Sequence, residues 1–188
     1  MENTAPADRP ASHPVPPPSR RPRDMVISLL VLLVPVVLFV GVYQVLSGRT
    51  RPVEVDPQPA IAAAAAAGLT AATPEGLSAR WVPVSAVFQP GEPGDTLRVG
   101  YVTPDGGSVQ LVQSTVPAEQ LLPGELKEPA TPAGAVDLAG RPWQAYPPRA
   151  GERALVLLEP ELTTIVRGTA SEAELQELAT ALGPSAPG

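Results

Sequence analysis

The longest apolar stretch of the chain runs from Met25 to Leu46 and contains no charged side chain. As a helix, at about 1.5 Å per residue, it would cover a hydrocarbon core about 30 Å thick. The apolar region of a cleaved signal peptide is shorter, about 7 to 15 residues, and a buried core helix is the other alternative. The pattern therefore predicts one transmembrane helix, retained as a signal anchor, with the lipid bilayer as its partner.

Arginines flank this apolar stretch unequally. Three of them closely precede it and two closely follow it, namely Arg20, Arg21, Arg23, Arg49 and Arg51. Because cytoplasmic flanks are enriched in Arg and Lys, we expect a cell-membrane protein with a cytosolic N-terminus and an extracytoplasmic C-terminal domain. The predicted parts are a disordered, Pro/Arg-rich cytosolic tail at 1–24, a stalk at 47–59, the exported domain at 60–183 and a disordered end at 184–188.

Beyond the stalk, apolar residues alternate with others, which is the period of half-buried strands. The predicted strand 81–88 contains Pro83, which favours a position at the edge of a sheet. The turn residues of 103–107 predict a hairpin that folds the strand ending at Val102 back against 109–115. Later strands are predicted at 135–138, 143–146, 154–158 and 163–167, about seven in total.

Helices are predicted around these strands. An alanine run at 61–67 ends at Gly68, and a short helix at 117–122 begins with its proline. Residues 123–134 are rich in Pro and Gly and are predicted as a loop that crosses over the sheet.

The last predicted helix begins at the N-cap Ser171, and Glu174 completes a capping box. Its buried face is formed by Leu175, Leu178, Ala179 and Leu182. A one-sided sheet and an amphipathic helix must bury their apolar faces together. The predicted fold class is therefore α+β, with a small, mainly antiparallel sheet and a few helices on one face or at its ends.

The amino-acid composition excludes several kinds of reactive site and one class of partner. The chain has no cysteine, which excludes disulfides, thiol nucleophiles, thiolate metal sites and a lipidated cysteine. Its one histidine, His13, lies in the predicted cytosolic tail. The excess of acidic residues that gives the net charge of −6 lies beyond the apolar stretch. Because an acidic domain repels phosphate backbones, nucleic acid is not expected as a partner.

Few residues are candidates for catalysis. Lys127, the single lysine, could serve as a base for a serine, but in a Pro/Gly-rich loop it is more simply a solvated charge. Glu159 and Glu161 could form an acid/base pair, but they flank Pro160 in a predicted tight turn where both would face water. We therefore predict no catalytic, cofactor-binding or metal-binding residue, no cofactor and no enzymatic activity.

Aromatic residues offer one further candidate site. Trp81, Trp143 and Tyr146 could form an aromatic ligand surface, and Arg141 beside Trp143 could bind an anion or a carboxylate. Packing of these rings in the core is the alternative that we expect. The two alternatives differ in whether the three rings share an exposed surface.

Three segments together resemble a known family: RPRDMVISLLVLLVPV at the start of the apolar stretch, GYVTPDGGSVQLVQS in the hairpin and TIVRGTASEAELQELATAL at the end. From about Arg20 to Leu182, the chain resembles the actinobacterial membrane-anchored proteins catalogued as domain of unknown function 4245. The resemblance implies the same topology and fold class. It implies no functional residues, because that family has no established activity.

The expected function is that of a single-pass membrane protein of unknown biochemical activity. Its extracytoplasmic domain would be a non-catalytic binding or interaction module for an envelope protein, a lipid or a small ligand. The alternatives are a structural or assembly accessory of a membrane complex and an envelope hydrolase. An apolar patch or cleft on the domain would favour binding, whereas a bare polar surface would favour a role carried by the helix. Catalysis would need convergent buried titratable groups.

Overall fold

The computed structural model describes Leu29 and residues 31–39, 52–126 and 131–183. The chain divides into two compact units, Met1–Arg51 and Pro52–Gly188. In the first unit, residues 31–39 are helical and their side chains are exposed. No helix among the described residues is long and apolar enough to cross a membrane. The predicted tail, most of the predicted span and the predicted disordered end lie outside the described residues.

Seven strands form one antiparallel sheet in the second unit. They are β1 (Val82–Gln89), β2 (Thr96–Val102), β3 (Ser108–Ser114), β4 (Gly134–Leu138), β5 (Arg141–Arg149), β6 (Glu152–Leu158) and β7 (Thr163–Gly168). Their spatial order is β1-β2-β3-β7-β6-β5-β4, so the last strand of the chain lies in the middle of the sheet. The prediction of an α+β fold with a mainly antiparallel sheet of about seven strands is confirmed.

The first hairpin and the first edge of the sheet agree with the sequence patterns. β2 pairs with β3, and the turn between them closes where the Thr103 N–H donates to the Gly107 carbonyl oxygen at 2.9 Å. Gly106 has a φ of +83°, which glycine adopts without a steric cost. β1 is an edge strand, and its pairing with β2 shifts register between Pro83 and Ser85. Both predictions are confirmed.

Three helices accompany the sheet: α1 (Gln58–Ala66), α2 (Ala118–Leu126) and α3 (Glu172–Ala181). α1 begins at Gln58 rather than at residue 61, since the prolines at its start suit the first turn of a helix. α2 continues through Pro123 to Leu126, so the prediction that 123–134 is entirely loop is wrong for its first residues. Contacts of the last turn of α2 with the sheet offset the poor helix propensity of Pro and Gly.

The larger core lies on the sheet face that carries α1 and α3. Its buried members include inward-facing side chains of β2, β3, β5, β6 and β7, namely Leu97, Val99, Leu111, Trp143, Leu155 and Val166. From α3, the predicted apolar side chains Leu175, Leu178, Ala179 and Leu182 are all buried against them. The predicted capping box is present at Ser171 and Glu174. The predicted last helix is therefore confirmed.

The opposite face carries α2 and a smaller core. Its members are Val112, Leu121, Tyr146, Ala154, Val156 and Ile165, with Val116, Leu122 and Leu126 packed against them. These strand residues alternate along the chain with members of the larger core, so the two clusters lie on opposite faces. The prediction that the helices lie on one face or at the ends of the sheet is wrong. The connection from the inner strand β3 to the far edge strand β4 crosses the sheet, as predicted, and α2 belongs to it.

Candidate functional site

The face of the sheet that carries α2 contains a recess at one end. Strand pairing aligns a row of residues across the sheet there: Ser85, Gly100, Gln110, Arg167, Ala154 and Tyr146. Gly100 has no side chain and Ala154 has only a methyl group. The surface of the sheet is therefore recessed on either side of the Gln110 and Arg167 side chains. We call this recess the α2-side cleft.

Two adjacent cavities form the α2-side cleft. The first has a volume of about 160 Å³, and its apolar wall consists of Leu126, Tyr146, Pro147, Ala150 and Ala154. The second has a volume of about 220 Å³ and lies over Gly100, Gln110 and Gly168. Glu152 and Arg167 line both cavities. The charged pair Glu152 and Arg167 therefore lies between a mainly apolar cavity and one with a mixed lining that includes Val84, Gly100 and Gln110.

Arg167 is the central polar group of the cleft, because it lies on the middle strand β7. Its Nη2 donates to Gln110 Oε1 at 2.7 Å and lies 3.4 Å from Glu125 Oε2. Its Nη1 lies 3.7 Å from Glu152 Oε2, beyond ordinary hydrogen-bond distance. Its Nε is buried and has no hydrogen-bond partner among the described residues. The guanidinium group is thus held firmly on one side and only weakly on the other.

Glu125 joins α2 to the sheet. Its side chain is 10% exposed, and its two carboxylate oxygens contact Arg98 Nη2 at 2.6 Å and Arg167 Nη2 at 3.4 Å. Arg98 also donates to Gln89 Oε1 on β1. A carboxylate that is this deeply buried depends on such partners, since losing one would leave a poorly solvated charge. The ion pairs therefore fix the last turn of α2 over the sheet.

The rim of the first cavity is formed by the β5–β6 hairpin. Ala150 and Gly151 at its tip have φ values of +49° and +84°, and alanine adopts the left-handed region at a cost of about 1 to 2 kcal/mol. Tyr146 donates its hydroxyl to Gln144 Oε1 at 3.2 Å, and burial raises the pKa of this phenol. Tyr146 is therefore a protonated, largely apolar wall of the cavity.

The aromatic ligand surface considered from the sequence does not exist as one surface. Trp81 and Trp143 are buried in the larger core, whereas Tyr146 is buried in the smaller core on the other face of the sheet. The Trp81 ring meets Tyr101 edge-on, with centroids 6.3 Å apart. The expected packing of these rings in the core is confirmed, and only Tyr146 borders the cleft.

Arg141 is engaged with the end of α3. Its Nη2 donates to the carbonyl oxygens of Leu182 and Ala179, the latter at 3.5 Å, and its guanidinium carbon lies 5.7 Å from the centroid of the Trp143 ring. Cationic groups are favourable at this end of a helix, where carbonyl groups lack intrahelical partners. Arg141 therefore has a structural role in place of the anion-binding role considered from the sequence.

The carboxylates considered for catalysis lie apart from the cleft. Glu159 is half-buried and Glu161 is exposed at the β6–β7 turn, which closes through a hydrogen bond from the Glu159 N–H to the Leu162 carbonyl oxygen at 3.0 Å. His13 and Lys127 lie outside the described residues. Across residues 52–126 and 131–183, no group of three or more His, Asp or Glu side chains is placed to hold a metal ion.

Sequence reasoning did not single out Arg98, Glu125 or Arg167. A signal was available for Arg167, since it lies near the end of a strand whose preceding residues are buried on both faces. Such a strand is an inner one, and a charged residue within it needs partners. Glu125 was missed because the segment around it was predicted to be loop.

The described residues 52–126 and 131–183 form a small α+β domain, built on one antiparallel sheet with helices on both faces. The chain belongs to the family described as protein of unknown function (DUF4245), whose profile matches residues 19–182. The resemblance to this family noted from the sequence is thereby confirmed. Comparison with curated proteins finds no match, and comparison with solved structures finds none.

Proposed function

We propose that this protein is a single-pass membrane protein that presents a non-catalytic binding module outside the membrane. The uncharged stretch from Met25 to Leu46 supports the anchor, and the arginines before it support a cytosolic N-terminus. The α2-side cleft is the observation that carries the binding role. It combines an apolar cavity with a few convergent polar groups, which is the usual composition of a ligand site.

The polar groups of the cleft favour binding over catalysis. Arg98 and Arg167 both contact Glu125, and each also donates to a neighbouring glutamine. Guanidinium groups remain protonated throughout the physiological range, so they orient and bind rather than exchange protons. Binding of a small ligand in the cleft accounts for these features without a nucleophile or a general base.

A second candidate function is a structural or assembly role carried by the N-terminal unit. Large apolar side chains of residues 31–39 are exposed, including Leu32, Val36 and Phe39. An apolar helix surface of this kind is covered by lipid or by apolar helices of other proteins. This role is compatible with a binding domain on the same chain.

Ligand-dependent thermal stability of the full-length protein in a neutral detergent tests the binding role. The ligands tested would be sugars, amino acids, carboxylates, phosphates and amines, with unfolding followed by tryptophan fluorescence. Ala154→Met places a longer side chain in the first cavity, and Ala173→Met is a matched control because Ala173 is exposed on α3. A ligand that binds in the cleft raises the Tm of the wild type and of Ala173→Met but not that of Ala154→Met. Either no stabilising ligand or equal stabilisation of all three proteins would contradict the proposal.

A further inference from the structure

We propose that the ligand of the α2-side cleft is a small anionic amphiphile, a carboxylate or phosphate group attached to a compact apolar group, with its anionic oxygens on Arg167. This inference rests on the binding role proposed above and specifies the ligand class. Three observations support it: the incomplete hydrogen bonding of Arg167, the weak ion pair of Arg167 with Glu152, and the apolar wall of the first cavity.

Arg167 has donors that its neighbours do not satisfy. The Nη2 group is fully engaged by Gln110 and Glu125. In contrast, Nη1 lies 3.7 Å from the nearest Glu152 oxygen, and Nε has no acceptor among the described residues. Buried donors normally have a partner, and a guanidinium group pairs best with the oxygens of carboxylate and phosphate. An anionic oxygen in the cleft would give Nη1 a closer acceptor than Glu152 provides.

Glu152 is a displaceable partner of Arg167. Its side chain is 44% exposed, in contrast to the 10% of Glu125. It lies at the start of β6, next to the hairpin tip formed by Ala150 and Gly151. An exposed ion pair at this distance contributes little to stability. A ligand anion can therefore replace Glu152 at Arg167 while Glu125 keeps α2 in place.

The first cavity indicates what the anion is attached to. Leu126, Tyr146, Pro147 and Ala154 present carbon surface beside Arg167. The volume of about 160 Å³ resembles that of an engineered apolar cavity of about 150 Å³ that holds benzene. A ring or a short acyl group therefore fits beside the guanidinium group, whereas the cavity would hold inorganic phosphate without using its apolar wall.

Calorimetric titration of the full-length protein in a neutral detergent tests the inference, with benzoate as the probe. Benzyl alcohol serves as the uncharged counterpart and inorganic phosphate as the anion without an apolar group. Benzoate is expected to bind at least about tenfold more tightly than either, because charge-assisted hydrogen bonds and apolar contact act together. Equal affinity for benzoate and benzyl alcohol would overturn the inference.

Four variants locate the interaction. Arg167→Met should weaken benzoate binding at least about tenfold, and Ala154→Met should weaken it by filling the cavity. Glu152→Gln removes the competing carboxylate and should strengthen binding about two- to fivefold. Arg80→Met is the control, since the Arg80 side chain is 68% exposed and pairs with Asp105 away from the cleft.

If Arg167→Met fails to fold, Glu152→Gln still tests the inference. Unchanged or weaker benzoate binding in that variant would contradict displacement of Glu152 from Arg167.

The benzoate titration and the thermal-stability test together distinguish failure of this inference from failure of the proposed function. If benzoate does not bind but a neutral or cationic ligand stabilises the wild type and not Ala154→Met, the anionic ligand class is wrong and the binding role stands. Benzoate titration in phosphatidylcholine nanodiscs, with and without phosphatidylglycerol, identifies the source of the anion. Competition by phosphatidylglycerol indicates a lipid headgroup, and unchanged affinity indicates a soluble ligand.

Discussion

Glu174 illustrates how one buried polar residue connects distant parts of the fold. Its carboxylate accepts hydrogen bonds from the Ser171 N–H and hydroxyl at 3.1 and 2.9 Å, and from the Asp105 N–H at 3.1 Å. Burial by itself would raise the pKa of Glu174, but hydrogen bonds from Thr103, Asp105 and Ser171 outweigh it and lower the pKa below the ordinary value of 4.5. The ionised form therefore ties the first hairpin turn to the start of α3.

This arrangement predicts a pH dependence of stability. The stabilisation by ionised Glu174 is fully present above its unfolded-state pKa, near 4.5, and is lost as the pH falls through the lower pKa of the folded state. In denaturant melts, the difference in free energy of unfolding between wild type and Glu174→Gln should shrink as the pH falls from 7 to below 4.5. Glu172→Gln, at an exposed position in the same helical turn, is the control. A constant difference across this pH range would show that the Glu174 charge does not support the fold.

At the scale of elements, the two faces of the sheet are stabilised differently. α3 packs through an apolar face, and Leu178 is 0% exposed. α2 packs through Leu121 and Leu126 but also through the ion pairs of Glu125. The apolar face produces a firm core, whereas the charged contact leaves a recess next to it. The cleft is thus a consequence of how α2 is attached.

The packing of α3 predicts a ranking of two substitutions. Ser171→Ala removes the acceptor for the Glu174 N–H, a hydrogen bond of 3.3 Å, and should cost about 0.5 to 2 kcal/mol. Leu178→Ala empties buried volume in the larger core and should cost about 2 to 5 kcal/mol. Urea unfolding of the two variants measures both values. If Leu178→Ala were as mild as a surface substitution, α3 would not be packed on the sheet in solution.

At the scale of the whole molecule, the second unit covers its own sheet edge close to where it begins. The Val55 N–H donates to the Pro83 carbonyl oxygen at 2.8 Å, so the segment before α1 covers part of the edge strand β1. Covering an edge in this way reduces its availability for pairing with another chain. The arrangement suits a domain that we propose to follow a membrane helix and a short stalk.

The proposed topology predicts which end of the chain is accessible from outside the cell. Because the protein has no cysteine, single cysteines at Ser12 and Ser185 are specific probes for an impermeant thiol reagent. In intact cells, the variant with cysteine at 185 should be labelled and the one with cysteine at 12 should be protected until the membrane is permeabilised. The reverse pattern would mean that the orientation is inverted. Labelling of both before permeabilisation would mean that the N-terminus is not cytosolic.

The sequence alone was sufficient for features that depend on neighbours a few residues apart. The alternation of apolar residues located the strands, the turn residues of 103–107 located the first hairpin, and Ser171 with Glu174 located the start of α3. Each of these is decided by local backbone preference and by the period of apolar side chains. The same local signals misplaced the end of α2, because Pro123 and Gly124 disfavour a helix that tertiary contacts stabilise.

Only the tertiary structure decided the strand order and the cleft. β7 pairs with β3 and β6, and this long-range pairing places Arg167 in the middle of the sheet, within reach of Gln110 from β3 and Glu125 from α2. No periodicity along the chain specifies which strands become neighbours or which face a crossing helix covers. The α2-side cleft therefore follows from the packing of segments that are distant in sequence, because its polar groups acquire partners and partial burial only when the sheet is assembled.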